Sequence, residues 1–336
     1  MRIWAVAALA LMGAAPSQDR IVPVHIGGRV IAESDGAMRF GWPGVYFEGR
    51  FEGTHVTIMA EARDEQLAVL VDGKQRMVLT KASPASVTID GLAPGKHVVR
   101  LEKLTESQSG YARFMGFGTD GKPLPLQPRA KRIEFIGDSH SVGYGDTSPK
   151  RECTRQEVHD TTNTQLAFGP LVAKRLDADY RVIAYSGYGI VRNYNGAVPG
   201  DSLPKRYARA LPGEEGAAKD DGWKPDRIVI KLGSNDFSTP LHAGEAWPDQ
   251  AALHADYRAR YAEFLAMLIA KQPQAKFLLM GSGDFLADVE AVAKGAAKPV
   301  KAVRWVELEN SGCDWHPSLK DHRNLADQIE AVIRNP

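Results

Sequence analysis

Beyond residue 130 the chain is built from five short apolar runs separated by stretches of helical character, and this alternation restricts its architecture more than any other feature. The runs lie at Arg132–Ile136, Arg181–Ala184, Arg227–Leu232, Lys276–Met280 and Val303–Val306. Each has the length of a strand rather than of a helix. Between them, Thr164–Leu176 reads as a helix, and Ala251–Ala270 sets Leu253, Tyr257, Tyr261, Phe264 and Leu268 on one face. A last helix is predicted over Leu319–Ile333. Strands alternating with helices imply an α/β unit, a parallel sheet with helices on both faces. Ligands of such sheets bind beyond the carboxyl ends of the strands.

The preceding part has a different texture. Residues 21–125 show short alternating runs, His55–Glu61, Leu67–Val71, Ser86–Asp90 and Lys96–Leu104, punctuated by Asp72-Gly73, Asp90-Gly91 and Pro94-Gly95. That rhythm predicts an all-β sandwich or jelly roll. Asp120–Arg129 carries three prolines and reads as the linker to the second domain, which is expected over 130–336.

Forty-two basic residues against forty-one acidic ones, with no basic run, give no footprint for nucleic acid or an anionic membrane. Residues 1–15 carry one positive charge, then an apolar run ending in Gly13-Ala14-Ala15. This is the layout of a signal peptide and predicts a secreted or periplasmic protein. The run is too short to span a bilayer, and no other segment reads as a membrane span. In an oxidising compartment the only two cysteines, Cys153 and Cys313, are expected to pair. Two Cys, and nine His without an HExxH-like pairing, argue against a metal centre, and no cofactor is implied. Nothing in the sequence sets an oligomeric state.

The ends of the predicted strands collect a reactive set. Gly137-Asp138-Ser139-His140 follows the first, Tyr185-Ser186-Gly187-Tyr188 the second and Gly233-Ser234-Asn235-Asp236 the third, while Gly312-Cys313-Asp314-Trp315-His316-Pro317 lies beyond the fifth. Each block alone is compatible with a turn or a helix cap. Together they supply a hydroxyl nucleophile, a base and N–H donors for an oxyanion, which is the equipment of acyl transfer. His140 and Asp138, beside the nucleophile, read as packing and turn residues, and Asp236 as structural.

The four blocks resemble those of the SGNH (GDSL-like) hydrolases. Ile133-Glu134-Phe135-Ile136-Gly137-Asp138-Ser139, Ser186-Gly187-Tyr188-Gly189, Lys224-Pro225-Asp226, Leu232–Phe237 and Cys313–Ser318 are most similar to carbohydrate esterase family 2. The resemblance implies a flavodoxin-like three-layer sheet behind a β-sandwich. It also implies an esterase that removes O-acetyl groups from polysaccharides such as xylan or glucomannan. SGNH folds serve other acyl groups too, so a peptidoglycan O-acetyl, lipid or thioester substrate is the alternative, with a non-catalytic carbohydrate-binding protein behind it. Ser139 is the implied nucleophile and His316 its base. The backbone N–H groups of Ser139 and Gly187 and the amide of Asn235 are the implied oxyanion donors. The position three before the His, where many SGNH enzymes carry Asp, is Cys313. Asp314 therefore becomes the expected orienting acid if its loop is extended, and a backbone carbonyl near Trp315 takes that role if the loop turns. Trp315, Tyr188 and Trp42 are candidates for an aromatic wall against a sugar ring.

Overall fold

The computed structural model describes residues 19–335. The leader expected over residues 1–15 lies outside the described residues. From Arg20 to Leu124 the chain forms two six-stranded antiparallel sheets. One is centred on Ala112–Thr119 and Val56–Glu61, the other on Tyr46–Gly53 and Gly95–Lys103. Residues of Val56–Glu61 alternate between buried and half-buried, as side chains on a pleated strand must. The inward rows interdigitate as aromatic pairs: the Phe47 and Phe114 rings stack at 4.1 Å, and Phe117 meets Phe114 edge-on at 4.8 Å. Part of the proline-rich stretch expected as linker, Lys122–Leu124, instead pairs with Tyr46–Gly53. It is an edge strand, a position where Pro123 costs no interior ladder bond.

The second half forms one five-stranded parallel sheet. Its spatial order is Ala178–Ala184, Lys131–Gly137, Arg227–Lys231, Lys276–Gly281, Val300–Arg304. The second strand in sequence therefore lies outside the first, and the order reverses beside Lys131–Gly137, whose carboxyl end is the switch point where such sheets bind ligands. Helices Phe168–Arg175 and Leu319–Arg334 cover one face, and Gln250–Lys271 with Leu286–Lys294 the other. Leu253, Tyr257, Tyr261, Phe264 and Leu268 all face the core from Gln250–Lys271. The segment expected as one helix over 164–176 is two: a 3₁₀ turn at Thr164–Leu166, an extended Ala167, then the α-helix.

The two parts are joined through buried charge. Asp179, on the edge strand of the parallel sheet, accepts from Tyr46 Oη at 2.7 Å and from His25 Nε2 at 2.8 Å, and pairs with Arg129 at 3.1 Å. Arg100 donates to Glu48 at 2.7 Å and to Tyr180 Oη at 2.9 Å, its guanidinium lying 3.7 Å from the Tyr46 ring centroid. Removing one partner from such a network leaves an uncompensated buried charge, at a cost of roughly 3–5 kcal/mol. This seat brings the loop between Gly95–Lys103 and Ala112–Thr119 over the carboxyl end of the Ala178–Ala184 strand.

Candidate active site

Lys131–Gly137 runs straight into a single helical turn, Ser139–Val142. Asp138 caps it, its carboxylate accepting from the His140 N–H at 3.0 Å. Ser139 is the first residue of that turn, so its backbone N–H is one of those a helix leaves without an internal partner. The Ser139 hydroxyl lies 2.9 Å from Nε2 of His316, which comes from the far end of the domain. On the other side of the imidazole, Nδ1 sits 3.0 Å from the carbonyl oxygen of Cys313 and 3.0 Å from that of Asp314. Carbonyls only accept, so Nδ1 carries the proton and Nε2 is left free to accept from Ser139. Burial pushes the pKa of His316 below its ordinary 6.5, the hydrogen bond to Cys313 opposing the shift. The imidazole is thereby neutral at neutral pH, as a base must be.

The next strand ends at Ala184 and turns through Tyr185-Ser186-Gly187. Gly187 has φ +83°, a left-handed conformation, and a Cβ there would meet no atom within 4 Å. The Gly187 backbone is thus approachable. Its carbonyl accepts from the Tyr194 N–H at 2.8 Å. Asn235 sits in the turn Ser234–Phe237 beyond the third strand, with Nδ2 donating to the Tyr188 carbonyl at 2.9 Å and lying 3.5 Å from an Asp138 carboxylate oxygen. Its neighbour Asp236 is fully buried and accepts from three successive backbone N–H groups, Ile190, Val191 and Arg192, at 2.9–3.0 Å. That carboxylate pins the loop that follows Gly187, consistent with a structural role.

Behind Ser139 lies a feature that sequence reasoning missed. Lys231, the last residue of the third strand, is fully buried, with Nζ 2.5 Å from His140 Nδ1 and 3.8 Å from the Trp305 ring centroid. Burial pulls its pKa down to about 8, and Asp138 opposes the shift. Burial, reinforced by Lys231, holds His140 well below its ordinary value, so His140 is neutral. A charged residue at the end of an apolar run was the available signal.

The loop bearing His316 turns rather than extends. Asp314 has φ +50° and Trp315 φ +57°, two successive left-handed residues that are not glycine. Such positions store about 1–3 kcal/mol each and persist only where the surroundings enforce them. Here a disulfide joins Cys313 to Cys153, and the Asp314 N–H donates to Arg151 O at 2.6 Å. Arg151 in turn donates to the Asn310 and Glu309 carbonyls at 2.9 and 3.0 Å. Gly145 backs onto the bridge: a Cβ there would stand 2.3 Å from Cys313 Cβ, and φ is +57°.

Residues 26–128 match the family described as Carbohydrate esterase 2 N-terminal, and residues 133–329 match GDSL-like Lipase/Acylhydrolase. A protein of Cellvibrio japonicus, named acetylxylan esterase / glucomannan deacetylase, is 45% identical over 329 residues, 94% of this chain and 91% of its own length. The chain belongs to carbohydrate esterase family 2. It is accordingly a carboxylic ester hydrolase acting on carbohydrate. The cellulase/esterase CelE of Acetivibrio thermocellus is 29% identical, over 88% of this chain and 37% of its own length. Among solved structures, a carbohydrate esterase whose active site displays divergent catalytic and non-catalytic binding functions superposes with a TM-score of 0.89. It is 43% identical, over 94% of this chain and 98% of that one. A family two carbohydrate esterase from Clostridium thermocellum in complex with cellohexaose has TM-score 0.79 and 28% identity, over 93% and 98% of the two chains. The β-sandwich followed by a parallel three-layer sheet is the architecture these family 2 esterases share with this chain.

Three residues stand differently from expectation in this esterase. The Asp314 carboxylate does not reach His316. It accepts from Tyr144 Oη at 3.0 Å, because the left-handed turn swings the side chain outward and delivers the backbone carbonyls to Nδ1 instead. Tyr144, missed from the sequence, lies beside the His316 ring with centroids 4.3 Å apart. Trp42 is fully buried, its indole N–H donating to Arg209 O at 3.3 Å, so it packs between the two sheets' domains and faces no ligand. Tyr188 is 7% exposed, its hydroxyl held by Arg206 at 3.0 Å and Asp201 at 3.3 Å. Trp315 is 58% exposed beside His316. Tyr194, which no sequence pattern singled out, is 55% exposed and hydrogen-bonded to Gly187. Among the described residues no helix is long and apolar enough to cross a membrane.

Proposed function

We propose that this carbohydrate esterase is an exported serine enzyme that removes O-acetyl groups from a polysaccharide of the xylan or glucomannan type, through a Ser139–His316 dyad. The observation that carries the reading is the 2.9 Å contact of Ser139 Oγ with His316 Nε2, whose other nitrogen is held by backbone carbonyls. His316 takes the Ser139 proton as Oγ adds to the acetyl carbonyl. The oxyanion is met by the Ser139 and Gly187 N–H groups and by Asn235 Nδ2. His316 then gives its proton to the departing sugar hydroxyl, leaving an acetyl-Ser139 ester. Water, deprotonated by His316, releases acetate and restores the hydroxyl.

Trp315 and Tyr194, both more than half exposed and each carried on a loop of the dyad or the oxyanion site, support a sugar substrate. Such rings stack on the C–H face of a pyranose and give acyl chains no channel. The same reading takes the chain as a sandwich domain over 21–125 and a hydrolase domain over 130–336 behind an export signal at 1–15. It is tested by acetate release from acetylated xylan, acetylated glucomannan and O-acetylated peptidoglycan in parallel. Release from either plant-type polymer that vanishes in Ser139→Ala supports it, and release from peptidoglycan alone rejects the substrate class.

A further inference from the structure

The residue before the oxyanion glycine is gripped by the other domain. Ser186 donates its backbone N–H to Oε1 of Glu106 at 2.9 Å, and its carbonyl accepts from Nε2 of Gln108 at 2.7 Å. Both side chains come from the loop between the Gly95–Lys103 and Ala112–Thr119 strands of the sandwich. Nearly eighty residues separate them from Ser186 in sequence, so the contact exists only because the two domains are seated together.

The chemistry follows from the planarity of the peptide bond. The Ser186 carbonyl and the Gly187 N–H belong to one trans peptide unit, in which the C=O and N–H vectors point in opposite directions. A donor fixed on the carbonyl therefore fixes the direction of the N–H. The following unit is fixed as well, by the Tyr194 N–H on the Gly187 carbonyl. Gly187 itself, at φ +83° with no side chain, has the backbone freedom to rock between the two. A hydrogen bond to the carbonyl also polarises the amide and makes its N–H the better donor. Gln108 is exposed, so water competes for this bond and its net worth to folding is small. Its worth to a reaction lies in holding a donor ready where charge develops.

We infer that Gln108 and Glu106 of the β-sandwich are positioning residues for ester hydrolysis: Gln108 holds the Ser186–Gly187 peptide by its carbonyl and Glu106 holds the preceding Tyr185–Ser186 peptide by its N–H, so that the Gly187 N–H is aimed at the oxyanion. The sandwich is then part of the catalytic apparatus, beyond any part it has in carbohydrate contact. Gln108 matches the geometry only as a donor, and Glu106 only as an acceptor. The inference rests on the reading of Gly187 as an oxyanion donor.

The test is steady-state hydrolysis of 4-nitrophenyl acetate by the full chain carrying Gln108→Ala, Gln108→Glu or Glu106→Ala, with Ser139→Ala as control. Complete loss of an oxyanion donor costs about 10²–10³ in rate, and a donor left in place but unaimed costs a fraction of that. Gln108→Ala is expected to lower kcat roughly tenfold with KM unchanged. Gln108→Glu sets an acceptor against the Ser186 carbonyl and is expected to lose more, about 10²-fold. Glu106→Ala removes the acceptor of the Ser186 N–H and is expected to lower kcat about fivefold with KM unchanged. The affinity of phenylboronic acid, whose adduct on Ser139 places an oxygen in the oxyanion site, is expected to fall in step with kcat/KM. Thermal unfolding should not move, a combination that a merely structural role would not produce. Both Gln108 variants within twofold of the parent in kcat, or a kcat loss with boronate affinity unchanged, would overturn the inference. If Ser139→Ala retains activity, the fault lies in the underlying reading of the site.

Discussion

Replacing Asp314 with Asn tests what holds the His316 imidazole. In a triad built on a carboxylate, Asp→Asn leaves the geometry and yet costs about 10⁴ in kcat, because the amide selects the wrong tautomer. That corresponds to roughly 5.5 kcal/mol. Here the carboxylate is spent on Tyr144 Oη at 3.0 Å, a bond that an Asn carbonyl oxygen also accepts. Nδ1 keeps both of its backbone acceptors, each at 3.0 Å. What the substitution removes is one solvent-exposed negative charge near the developing imidazolium. Two charges roughly 4 Å apart in water interact by about 1 kcal/mol, so the loss in kcat should not exceed about fivefold. Steady-state hydrolysis of an activated acetate ester, with thermal unfolding as the control for folding, reads this directly. A loss of a thousandfold or more in a folded variant would refute the reasoning.

Asn235→Ala should lower kcat by about 10²–10³ while KM changes little, since the donor acts where charge develops. The same variant leaves the Tyr188 carbonyl without its Asn235 partner, so calorimetry should record a stability loss of roughly 1–3 kcal/mol. Because burial depresses the pKa of His316, the neutral base exists down to a pH below 6.5. The acid limb of kcat/KM is therefore expected below pH 6.5, with activity rising as pH increases through it; a limb above that value would contradict the burial argument. Cys153 and Cys313 lie 160 residues apart, which gives their bridge an entropic ceiling of roughly 5 kcal/mol. Cys153→Ser should lower the melting temperature and reduce kcat as well, because the Cys313 carbonyl is one of the two acceptors for Nδ1.

Much of the fold was legible because its signals are local. The strand Leu67–Val71 follows from a short apolar run closed by the turn pair Asp72-Gly73, and the buried face of the helix around Ala251–Ala270 from its periodicity. The fifth parallel strand lies at Val300–Arg304 rather than at the Val303–Val306 run. As an edge strand it has no fully buried residue, Lys301 and Arg304 being exposed, and the apolar run extends past its end. Tyr46–Gly53 escaped notice because Glu48 and Glu52 interrupt its apolar pattern; burial of Glu48 is made tolerable by Arg100 and Arg129, distant in sequence. Ser139 and His316, which the structure brings together at 2.9 Å, stood in the sequence within blocks at strand ends. What orients His316 was not legible, since it depends on two backbone dihedrals, at Asp314 and Trp315, that no residue pattern encodes. Aromatic identity likewise left open which rings face solvent: Trp42 and Tyr188 turn inward, while Tyr194 turns out. The clamp on Ser186 depends on docking between domains and has no local signal at all.

Attack by Ser139 on the acyl carbonyl can be trapped directly. Brief exposure to a fluorophosphonate, followed by peptide mass spectrometry, should place one covalent adduct on the peptide containing Ser139. The adduct should be lost in Ser139→Ala together with acetate release from acetylated xylan or glucomannan. An adduct on another residue, or a folded Ser139→Ala variant that still releases acetate, would contradict it.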